Sequence, residues 1–274
     1  MAEVILRREL GVLRIQGKDG RDLVQRLSTN GVVERAVGEV VDNVITTEKG
    51  RIVDVVTMIF REEALWLVTR GPASVAGEWI DKMIFREDVQ LAAAPWPVAH
   101  VLGGEAPAPA KGFVVTGRVA GVLGTHVIGP AAAVEAATSG LSPLGPERFE
   151  YMRVRDGIAA YGRELSEEYN PHEARLGALI DWEKGCYVGQ EVVARLDTYK
   201  KVQRSLVRLA APQPLVAGAA LVLAGENVGI VTSAASLAGE QDHIALAYLK
   251  AAAADAATVT VGGVEARVLP WPSA

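Results

Sequence analysis

Residues 184–191 read Lys-Gly-Cys-Tyr-Val-Gly-Gln-Glu and contain the only cysteine among the 274 residues of the chain. Gly185 and Gly189 permit backbone conformations with positive φ, or the close approach of another segment. Gln190 begins a stretch with the pattern of a helix, so Cys186 would lie at a turn just before a helix N-terminus. This pattern predicts a reactive or ligand-contacting thiol, although burial of the cysteine as a small apolar side chain is equally consistent with it.

The composition limits the class of protein. The length and the 50% hydrophobic content are enough for two or three small domains. A net charge of -5 argues against a general nucleic-acid binder, and no uncharged apolar run reaches membrane-spanning length. A single cysteine cannot form an internal disulfide, and the N-terminus lacks the apolar core of a signal peptide. We therefore expect a cytoplasmic protein whose partners include neither nucleic acid nor a membrane.

The first half of the chain has mainly the pattern of strands. Two strands are predicted around a turn at Gly11, followed by a short helix that ends near Ser28. Residues 40–69 predict a meander of three strands. Pro72 is predicted to open a helix. Residues 92–112 are rich in alanine, proline and glycine, and we expect a loop there.

The second half combines short helices with a series of short strands. Helices are predicted to begin near Pro130 and Pro146. From about Val202, five or six short strands separated by glycine turns predict a small barrel or sandwich. Because helices and strands are clustered rather than alternating, the fold class is α+β and a Rossmann fold is not expected.

Asp54 is the carboxylate that stands out in the first half, because the strand around it is otherwise largely apolar. Period-two alternation favours a side chain on the solvent side of the sheet. If Asp54 instead points inward, it should meet a hydrogen-bond donor, because burying an unpartnered carboxylate is costly.

Patterns of several common enzyme classes do not occur in the sequence. There is no phosphate loop, no Gly-x-Gly-x-x-Gly turn after a strand and no Gly-x-Ser-x-Gly nucleophile elbow. The histidines have no metal-ligand spacing, and we expect ordinary surface or core positions for His100, His126, His172 and His243. We therefore expect no metal site.

The segment around Cys186 closely resembles the KGCYxGQE signature of the YgfZ family, which comprises folate-binding, iron–sulfur-related proteins. That family is related to the glycine cleavage T-protein, an aminomethyltransferase that uses tetrahydrofolate. Other segments resemble T-protein or YgfZ motifs in the same order along the chain; they are residues 15–20, 27–30, 50–54, 153–158, 161–165, 171–174, 229–233 and 244–249. The resemblance thus covers most of the chain.

The resemblance implies an α+β fold of three domains arranged as a ring of the T-protein type, with a small C-terminal β-barrel. On this basis residues 1–40 and 135–200 form a discontinuous first domain that carries the cysteine motif. Residues 41–134 form the second domain, and residues 201–274 form the barrel.

The resemblance also implies tetrahydrofolate, or a derivative of it, as the cofactor. Asp54 would hydrogen-bond the pteridine ring or the N5–N10 edge, and Lys184 or Arg195 would meet the glutamate tail. Cys186 would be a functional thiol with no assigned chemistry. The residues expected in folate binding are Asp54, Lys184, Tyr187, Gln190 and Arg195.

The implied role is support of iron–sulfur cluster assembly or repair, with assembly proteins or client enzymes as partners. One cysteine cannot hold a cluster alone, so a transient role for Cys186 is expected. The alternative is a tetrahydrofolate-dependent aminomethyltransferase or other one-carbon transferase, and a third reading is an interaction module without a ligand. Arg155 stands where the T-protein pattern has a glutamate that helps hold the pterin, which favours the YgfZ-like interpretation.

Overall fold

The computed structural model describes residues 2–199 and 202–272 and divides the chain into two compact units. The first unit runs to Leu144 and also includes Gly177–Val192, and the second comprises Gly145–Leu176 and the chain from Val193 onward. The expected boundary between residues 200 and 201 falls on two residues outside the described ranges. The division into three domains stays a prediction.

The chain begins with strands β1 (Glu3–Arg7) and β2 (Gly11–Gln16), which flank the predicted turn but join different sheets of the first unit. The predicted meander over residues 40–69 is confirmed as three antiparallel strands. Together with β2 and one later strand it forms a five-stranded sheet in the order β3-β4-β5-β2-β6. The added strands are β3 (Val40–Thr46), β4 (Ile52–Phe60), β5 (Leu65–Thr69) and β6 (Gln90–Ala94).

Two helices cover one face of this sheet. Helix α1 (Gly20–Leu27) buries Leu23, Val24 and Leu27, whose spacing places them on one side. Helix α2 (Ala73–Asp81) begins directly after Pro72, as predicted, because the fixed φ of proline suits the start of a helix. These side chains share a core cluster with β4 residues such as Met58. Each fully buried leucine or valine contributes roughly 1.5–3 kcal/mol to folding.

A second five-stranded sheet of the first unit has the order β10-β1-β7-β9-β8. Its further strands are β7 (Val98–Leu102), β8 (Phe113–Val119), β9 (Val122–Ile128) and β10 (Ser142–Pro143). The loop expected over residues 92–112 is therefore wrong in part, since the end of β6 and all of β7 lie within it. Val98, Ala99 and Val101 are fully buried between neighbouring strands, and this burial outweighs the loop-like composition around them.

The second unit contains the predicted C-terminal barrel. Six antiparallel strands close in the order β11-β14-β13-β12-β15-β16 around an apolar core. They are β11 (Arg204–Ala211), β12 (Ala220–Leu223), β13 (Glu226–Ala235), β14 (His243–Lys250), β15 (Thr258–Val261) and β16 (Val264–Leu269). Closure leaves no free sheet edge in the barrel.

The remaining helices begin where the sequence predicted. Helix α3 (Ala131–Thr138) follows Pro130, and helix α4 (Pro146–Arg155) begins at Pro146. Helix α5 (Gln190–Tyr199) starts at the end of the cysteine motif. Within the ranges that the structure describes, no helix is long and apolar enough to cross a membrane.

Candidate functional site

Asp54 lies near the start of β4 and has no exposed surface. Its Oδ1 accepts a hydrogen bond from the backbone N–H of Val55 at 2.7 Å, and its two oxygens accept from the backbone N–H of Gly71 at 3.3 and 3.1 Å. Burial raises the pKa of Asp54 to about 7, although these hydrogen bonds and the charge of Arg70 lower it. The carboxyl group can therefore hold or release a proton near neutral pH.

The expectation that Asp54 faces solvent is wrong, and the reason is the position of its strand. All nine residues of β4 are buried. Val56, Met58 and Phe60 pack in the cluster that includes α1 and α2, while Ile59 packs in the cluster that includes the second sheet. Because both faces of β4 are covered, the alternation of residues along the strand does not separate solvent-exposed from buried positions. The expected hydrogen-bond donors for an inward carboxylate are present as backbone amides.

The ammonium group of Lys184 closes the C-terminal end of α1. Its Nζ donates hydrogen bonds to the backbone carbonyl oxygens of Gln25, Ser28 and Asn30, at 2.7, 2.5 and 2.9 Å. The last carbonyls of a helix lack intrahelical partners and carry the negative end of the helix dipole, so a cation there is favourable. Burial lowers the pKa of Lys184 to about 8. An ammonium has three N–H donors, and all three bind backbone here; contact of Lys184 with a folate tail stays a prediction.

Val188 and Gly189 hold the cysteine motif against α1 and the first sheet. The hydroxyl of Thr46 donates to the carbonyl oxygen of Val188 at 2.6 Å, and the N–H of Val188 donates to the carbonyl oxygen of Arg26 at 2.9 Å. Gly189 has φ +83, and a Cβ atom there would lie 2.4 Å from the carbonyl oxygen of Thr47. The positive φ and the close approach that glycine permits are both found at Gly189, whereas Gly185 shows neither, since a Cβ there would meet nothing within 4 Å.

Cys186 is exposed, so the alternative of a buried cysteine is wrong. Its neighbours in the motif are held on both sides by the contacts of Lys184 and Gly189. The thiol thus lies at the surface of a short segment that is anchored at two points. The next residue, Tyr187, is 7% exposed.

Tyr187 carries a buried hydroxyl that has no hydrogen-bond partner among the residues that the structure describes. Its ring lies 5.3 Å from the Nζ of Lys184, and burial raises the pKa of Tyr187 to about 12. Leaving a buried polar group without a hydrogen-bond partner costs roughly 1–3 kcal/mol of folding free energy. A ligand or water that forms a hydrogen bond with this hydroxyl would remove that cost, which favours its binding. The side chain therefore fits its predicted role as a ligand contact, which stays a prediction.

The two remaining predicted ligand residues lie on α5. Gln190 is the first residue of the helix, and its N–H donates to the carbonyl oxygen of Tyr187 at 3.1 Å. Arg195 is exposed and lies in the part of α5 that belongs to the second unit. Contacts of either side chain with folate stay predictions. Arg155, at the position where the T-protein pattern has a glutamate, is exposed and pairs with Asp156 at 2.8 Å.

Asn43 is a residue of this region that the sequence reasoning missed. Its Oδ1 accepts from the N–H of Asn30 at 2.7 Å, and its Nδ2 donates to the carbonyl oxygen of Asn30 at 3.0 Å. Asn43 therefore fixes the turn whose carbonyl accepts a hydrogen bond from Lys184. The signal that could have identified it is an amide side chain within a strand composed mainly of β-branched residues.

Two of the four histidines meet in the core of the first unit. The Nδ1 atoms of His100 and His126 are 2.7 Å apart, and burial lowers the pKa of both rings. The expectation of ordinary positions did not include this pairing, which needs the register of β7 with β9. Across residues 2–199 and 202–272, no set of three or more histidine, cysteine or acidic side chains could hold a metal ion.

Two cavities are prominent, one in each unit. The cavity in the second unit has a volume of about 700 Å³ and is lined by Arg204, Tyr248 and Lys250 among others. The cavity in the first unit has a volume of about 650 Å³ and is lined mainly by apolar groups near Trp96 and Pro72. Neither is lined by Asp54 or Cys186. Asp54 and the cysteine motif are instead connected through β3. Ile45 of that strand pairs with Asp54, and the hydroxyl of the next residue, Thr46, donates to the carbonyl oxygen of Val188.

Comparison with known proteins places this fold among those of aminomethyltransferases. The structure of aminomethyltransferase T of the glycine cleavage system from Bartonella henselae matches with a TM-score of 0.85, covering 99% of this chain and 86% of that one at 18% identity. The expected α+β fold of the T-protein type with a C-terminal barrel is thereby confirmed. No protein-family model matches the chain.

Curated relatives carry related names. The Arabidopsis thaliana protein "Putative transferase At1g60990, chloroplastic" is 28% identical over 92% of this chain, which spans 66% of that protein. The aminomethyltransferase of Symbiobacterium thermophilum is 28% identical over 96% of this chain and 84% of its own length. These relatives and the structural match support a T-protein-like fold.

Proposed function

We propose that this chain is a tetrahydrofolate-binding protein of the YgfZ type, which supports iron–sulfur cluster assembly or repair through the thiol of Cys186. The observation that carries the proposal is the buried carboxyl group of Asp54, in the strand that resembles the folate-contacting strand of the T-protein. Relatives named aminomethyltransferase over nearly the whole chain support the folate part.

In this proposal a reduced pteridine acts as a hydrogen-bond donor to Asp54. A carboxylate offers about four lone-pair positions, and three hydrogen-bond contacts to Asp54 come from Val55 and Gly71. The backbone of Arg70 also hydrogen-bonds the carboxylate, so an N–H of the pteridine or of the N5–N10 edge would replace one of these backbone contacts. Because the pKa of Asp54 is about 7, the same group can also donate when protonated. Burial strengthens either bond by excluding water.

Tyr187 supports a ligand on the side of the cysteine motif. Its buried hydroxyl, which lacks a partner among the described residues, can donate to or accept from a polar ligand edge. Lys184 and Gln190 hold the backbone on either side of it through the contacts given above. In this proposal Tyr187 and Gln190 contact the ligand, Lys184 mainly positions the segment, and Arg195 supplies a charge for the glutamate tail.

Cys186 is proposed to act transiently toward a partner protein. Its exposure allows a partner to reach the sulfur, and the anchoring of the segment at Lys184 and Gly189 fixes where the thiol is presented. Iron–sulfur clusters take several ligands, so a cluster contact at Cys186 would be completed by groups of the partner. An accessible unpaired thiol also fits the proposed reducing, cytoplasmic location.

Titration with tetrahydrofolate tests the folate part of the proposal. Replacing Asp54 by asparagine removes the charge while retaining the size, and we expect affinity to fall about 10- to 100-fold, as for loss of a charge-assisted hydrogen bond worth roughly 1.5–3 kcal/mol. Glu48→Gln, an exposed carboxylate in the turn before β4, is the matched control and should leave affinity unchanged. Wild-type protein with no measurable affinity for tetrahydrofolate would refute the proposal.

A separate experiment tests the thiol. Cells that lack the protein would be complemented with wild type or with Cys186→Ser, and the activity of iron–sulfur enzymes would be measured. We expect Cys186→Ser to fold and to bind tetrahydrofolate as wild type does, but to fail in restoring those activities. Full restoration by the serine variant would remove the thiol from the proposed function.

The names of the relatives favour a second candidate, a tetrahydrofolate-dependent aminomethyltransferase. In that case Asp54 would orient the donor amine. Release of one-carbon units from an aminomethylated lipoyl carrier, dependent on tetrahydrofolate and lost in Asp54→Asn, would establish it. The exposed cation Arg155 at the position of the pterin-holding glutamate argues against this candidate.

A further inference from the structure

The cavity of about 700 Å³ in the second unit lies on the outer face of the barrel. Leu249 belongs to the apolar core of the barrel, so the alternation along β14 places Tyr248 and Lys250 on the outer side. Arg204 of β11 pairs with Lys250, and Ile230 of β13 pairs with Tyr248. Paired residues of neighbouring strands lie on the same face of a sheet. All four residues line the cavity, which therefore spans three adjacent strands outside the core.

Two cations lie side by side in this cavity. Arg204 and Lys250 are directly opposite each other in the antiparallel pair of β11 and β14. Side chains at such positions are close together, and like charges there are unfavourable. Among the described residues that line the cavity, these two are the charged ones. An anion bound between them would relieve their repulsion.

One buried carboxylate offsets part of this charge. The Oε1 of Glu173, whose side chain is 3% exposed, is 3.5 Å from the Nε of Arg204, and the guanidinium lies 5.2 Å from the ring centroid of Tyr169. In the described part of the chain, Nη1 and Nη2 of Arg204 donate no hydrogen bond. The Nζ of Lys250 donates to the carbonyl oxygen of Asn227 at 2.7 Å, which uses one of its three donors. Two cations and one carboxylate leave one positive charge, with N–H donors available on both cations.

The rest of the cavity offers surface for an apolar or planar group. The ring of Tyr248 is stacked on that of Tyr169 with centroids 3.7 Å apart, and its hydroxyl donates to the carbonyl oxygen of Glu164 at 2.8 Å. Ile230, opposite Tyr248 on β13, is 43% exposed. The volume is within the usual range of small-molecule sites, about 300–1,000 Å³, and is larger than one carboxylate group requires. A ligand that fills it would have a body as well as a charged group.

We propose that this cavity binds a small organic acid, with a carboxylate between Arg204 and Lys250 and an apolar or planar body beside Tyr248 and Ile230. A carboxylate matches the single uncompensated positive charge, whereas a phosphate group carries up to two negative charges. The donor fork of a guanidinium also fits the two oxygens of a carboxylate. None of the lining residues is among those proposed to bind tetrahydrofolate, so this site goes beyond the proposed function.

Titration of isotope-labelled full-length protein with benzoate, followed by NMR, tests the proposal. Benzoate has a carboxylate on a planar ring, benzyl alcohol has the ring without the charge, and inorganic phosphate has charge without the ring. Tetrahydrofolate is absent, and the ionic strength is constant because salt screens exposed charges. With benzoate we expect saturable shifts at the amides of residues 227–230 and 248–250, with a dissociation constant of about 1–10 mM for so small a ligand. The other two compounds should bind at least about tenfold more weakly.

Variants of the two cations test where the carboxylate binds. Lys250→Gln and Arg204→Gln should each weaken benzoate binding about three- to tenfold, because a charge-assisted hydrogen bond is lost at a partly exposed position. Arg267→Gln, which removes an exposed barrel cation that pairs with Asp242, is the matched control and should bind benzoate as wild type does. If Arg204→Gln does not fold, Lys250→Gln decides alone, since Lys250 is exposed and forms no ion pair among the described residues.

Several results would overturn the proposal. Absence of saturable benzoate shifts at these amides would show that the cavity is not a site for such an acid. Benzyl alcohol that binds as tightly as benzoate would exclude recognition of the charge, and phosphate that binds more tightly would contradict the assignment of a carboxylate. Unchanged benzoate affinity in Lys250→Gln would do the same for its position. Because tetrahydrofolate takes no part in the assay, each result holds whether or not the proposed function does.

Discussion

Lys184 illustrates how much one side chain of the cysteine motif contributes to local structure. Its ammonium group joins three carbonyl oxygens that belong to the end of α1 and the turn after it. The pattern of residues 184–191 predicts a reactive or ligand-contacting thiol, and the resemblance implies that Lys184 or Arg195 meets the glutamate tail of folate. The structure adds that the lysine binds backbone groups 154 to 159 residues earlier in the chain, which only the folded chain brings within reach.

Replacing Lys184 by methionine tests this role. We expect a loss of about 1–3 kcal/mol in the free energy of unfolding, because charge-assisted hydrogen bonds are lost and three partly buried carbonyls are left without that donor. Urea denaturation at pH 7 gives the measurement. Lys49→Met, in an exposed turn, is the control and should change stability by less than about 0.5 kcal/mol. Equal stabilities of the two variants would contradict the capping role.

Asp54 should give the protein a pH-dependent stability of unusual sign. Its pKa is about 7 in the folded protein and 3.8 ordinarily, so the folded state binds the proton more tightly than the unfolded state. The contribution of Asp54 is then most favourable below pH 4 and is lost as the pH rises from about 4 to about 7. Between pH 5 and pH 8 it amounts to a loss of about 2–3 kcal/mol.

Urea denaturation at pH 5 and pH 8 measures this effect as the difference between wild type and Asp54→Asn. We expect wild type to lose stability relative to Asp54→Asn as the pH rises. Glu48→Gln should follow wild type at both pH values. A wild-type protein that gains stability relative to Asp54→Asn at pH 8 would show that the Asp54 pKa is not raised.

Residues 177–189 form a loop that contains little helix and no strand, yet hydrogen bonds hold it in place at several points. The N–H of Asp181 donates to the carbonyl oxygen of Thr29, Lys184 binds the end of α1, and Thr46 binds Val188. These contacts replace the regular backbone ladder that the segment lacks. Its order therefore depends on α1 and β3, which are elements far away in sequence.

Two glycines of this element provide a matched pair for a prediction. Gly189→Ala should destabilise the protein by about 2–4 kcal/mol, because φ is +83 and the new Cβ would lie 2.4 Å from a backbone oxygen. Gly185→Ala should change stability by less than about 0.5 kcal/mol, since an added Cβ there meets nothing within 4 Å. Thermal or urea unfolding of both variants gives the comparison. Similar losses in both would indicate that residues 185–189 adopt a different conformation.

At the scale of the whole molecule, each compact unit contains a buried polar network as well as an apolar core. In the second unit, Arg153 of α4 donates to the carboxylate of Glu164 at 3.2 Å and to the hydroxyl of Ser233 on β13 at 2.7 Å. Glu164 has no exposed surface and also accepts from Ser233 at 2.6 Å. This network joins α4 and the polar segment after it to the barrel, and it satisfies charges that would otherwise be buried alone.

Breaking this network should be costly for the second unit. Arg153→Met leaves Glu164 as a buried carboxylate without its cation, and we expect a loss of about 3–5 kcal/mol in the free energy of unfolding. Arg155→Gln, on the same helix, removes an exposed ion pair and should cost less than about 1 kcal/mol. Chemical denaturation measures both. Adding Glu164→Gln to Arg153→Met should recover part of the loss, and no recovery would argue against the charge as its cause.

Much of the architecture could be predicted because local signals repeat along the chain. The meander, the start of α2 after Pro72 and the six strands of the barrel follow from apolar patterns between turns and from the geometry of proline. The loop expected over residues 92–112 could not be corrected from sequence, because the pairing of β7 with β1 and β9 is non-local. Composition alone does not report which strands become neighbours.

The sequence by itself determined the class of the fold, the candidate residues and the order in which the motifs occur, because these depend on residue type and spacing. Only the tertiary structure decided that Cys186 is exposed, that Asp54 is buried among backbone donors, and that Lys184 caps a distant helix. Burial, hydrogen-bond partners and pKa depend on which segments are packed against a residue. For residues 184–191 those segments are α1 and β3, more than 130 positions earlier in the chain.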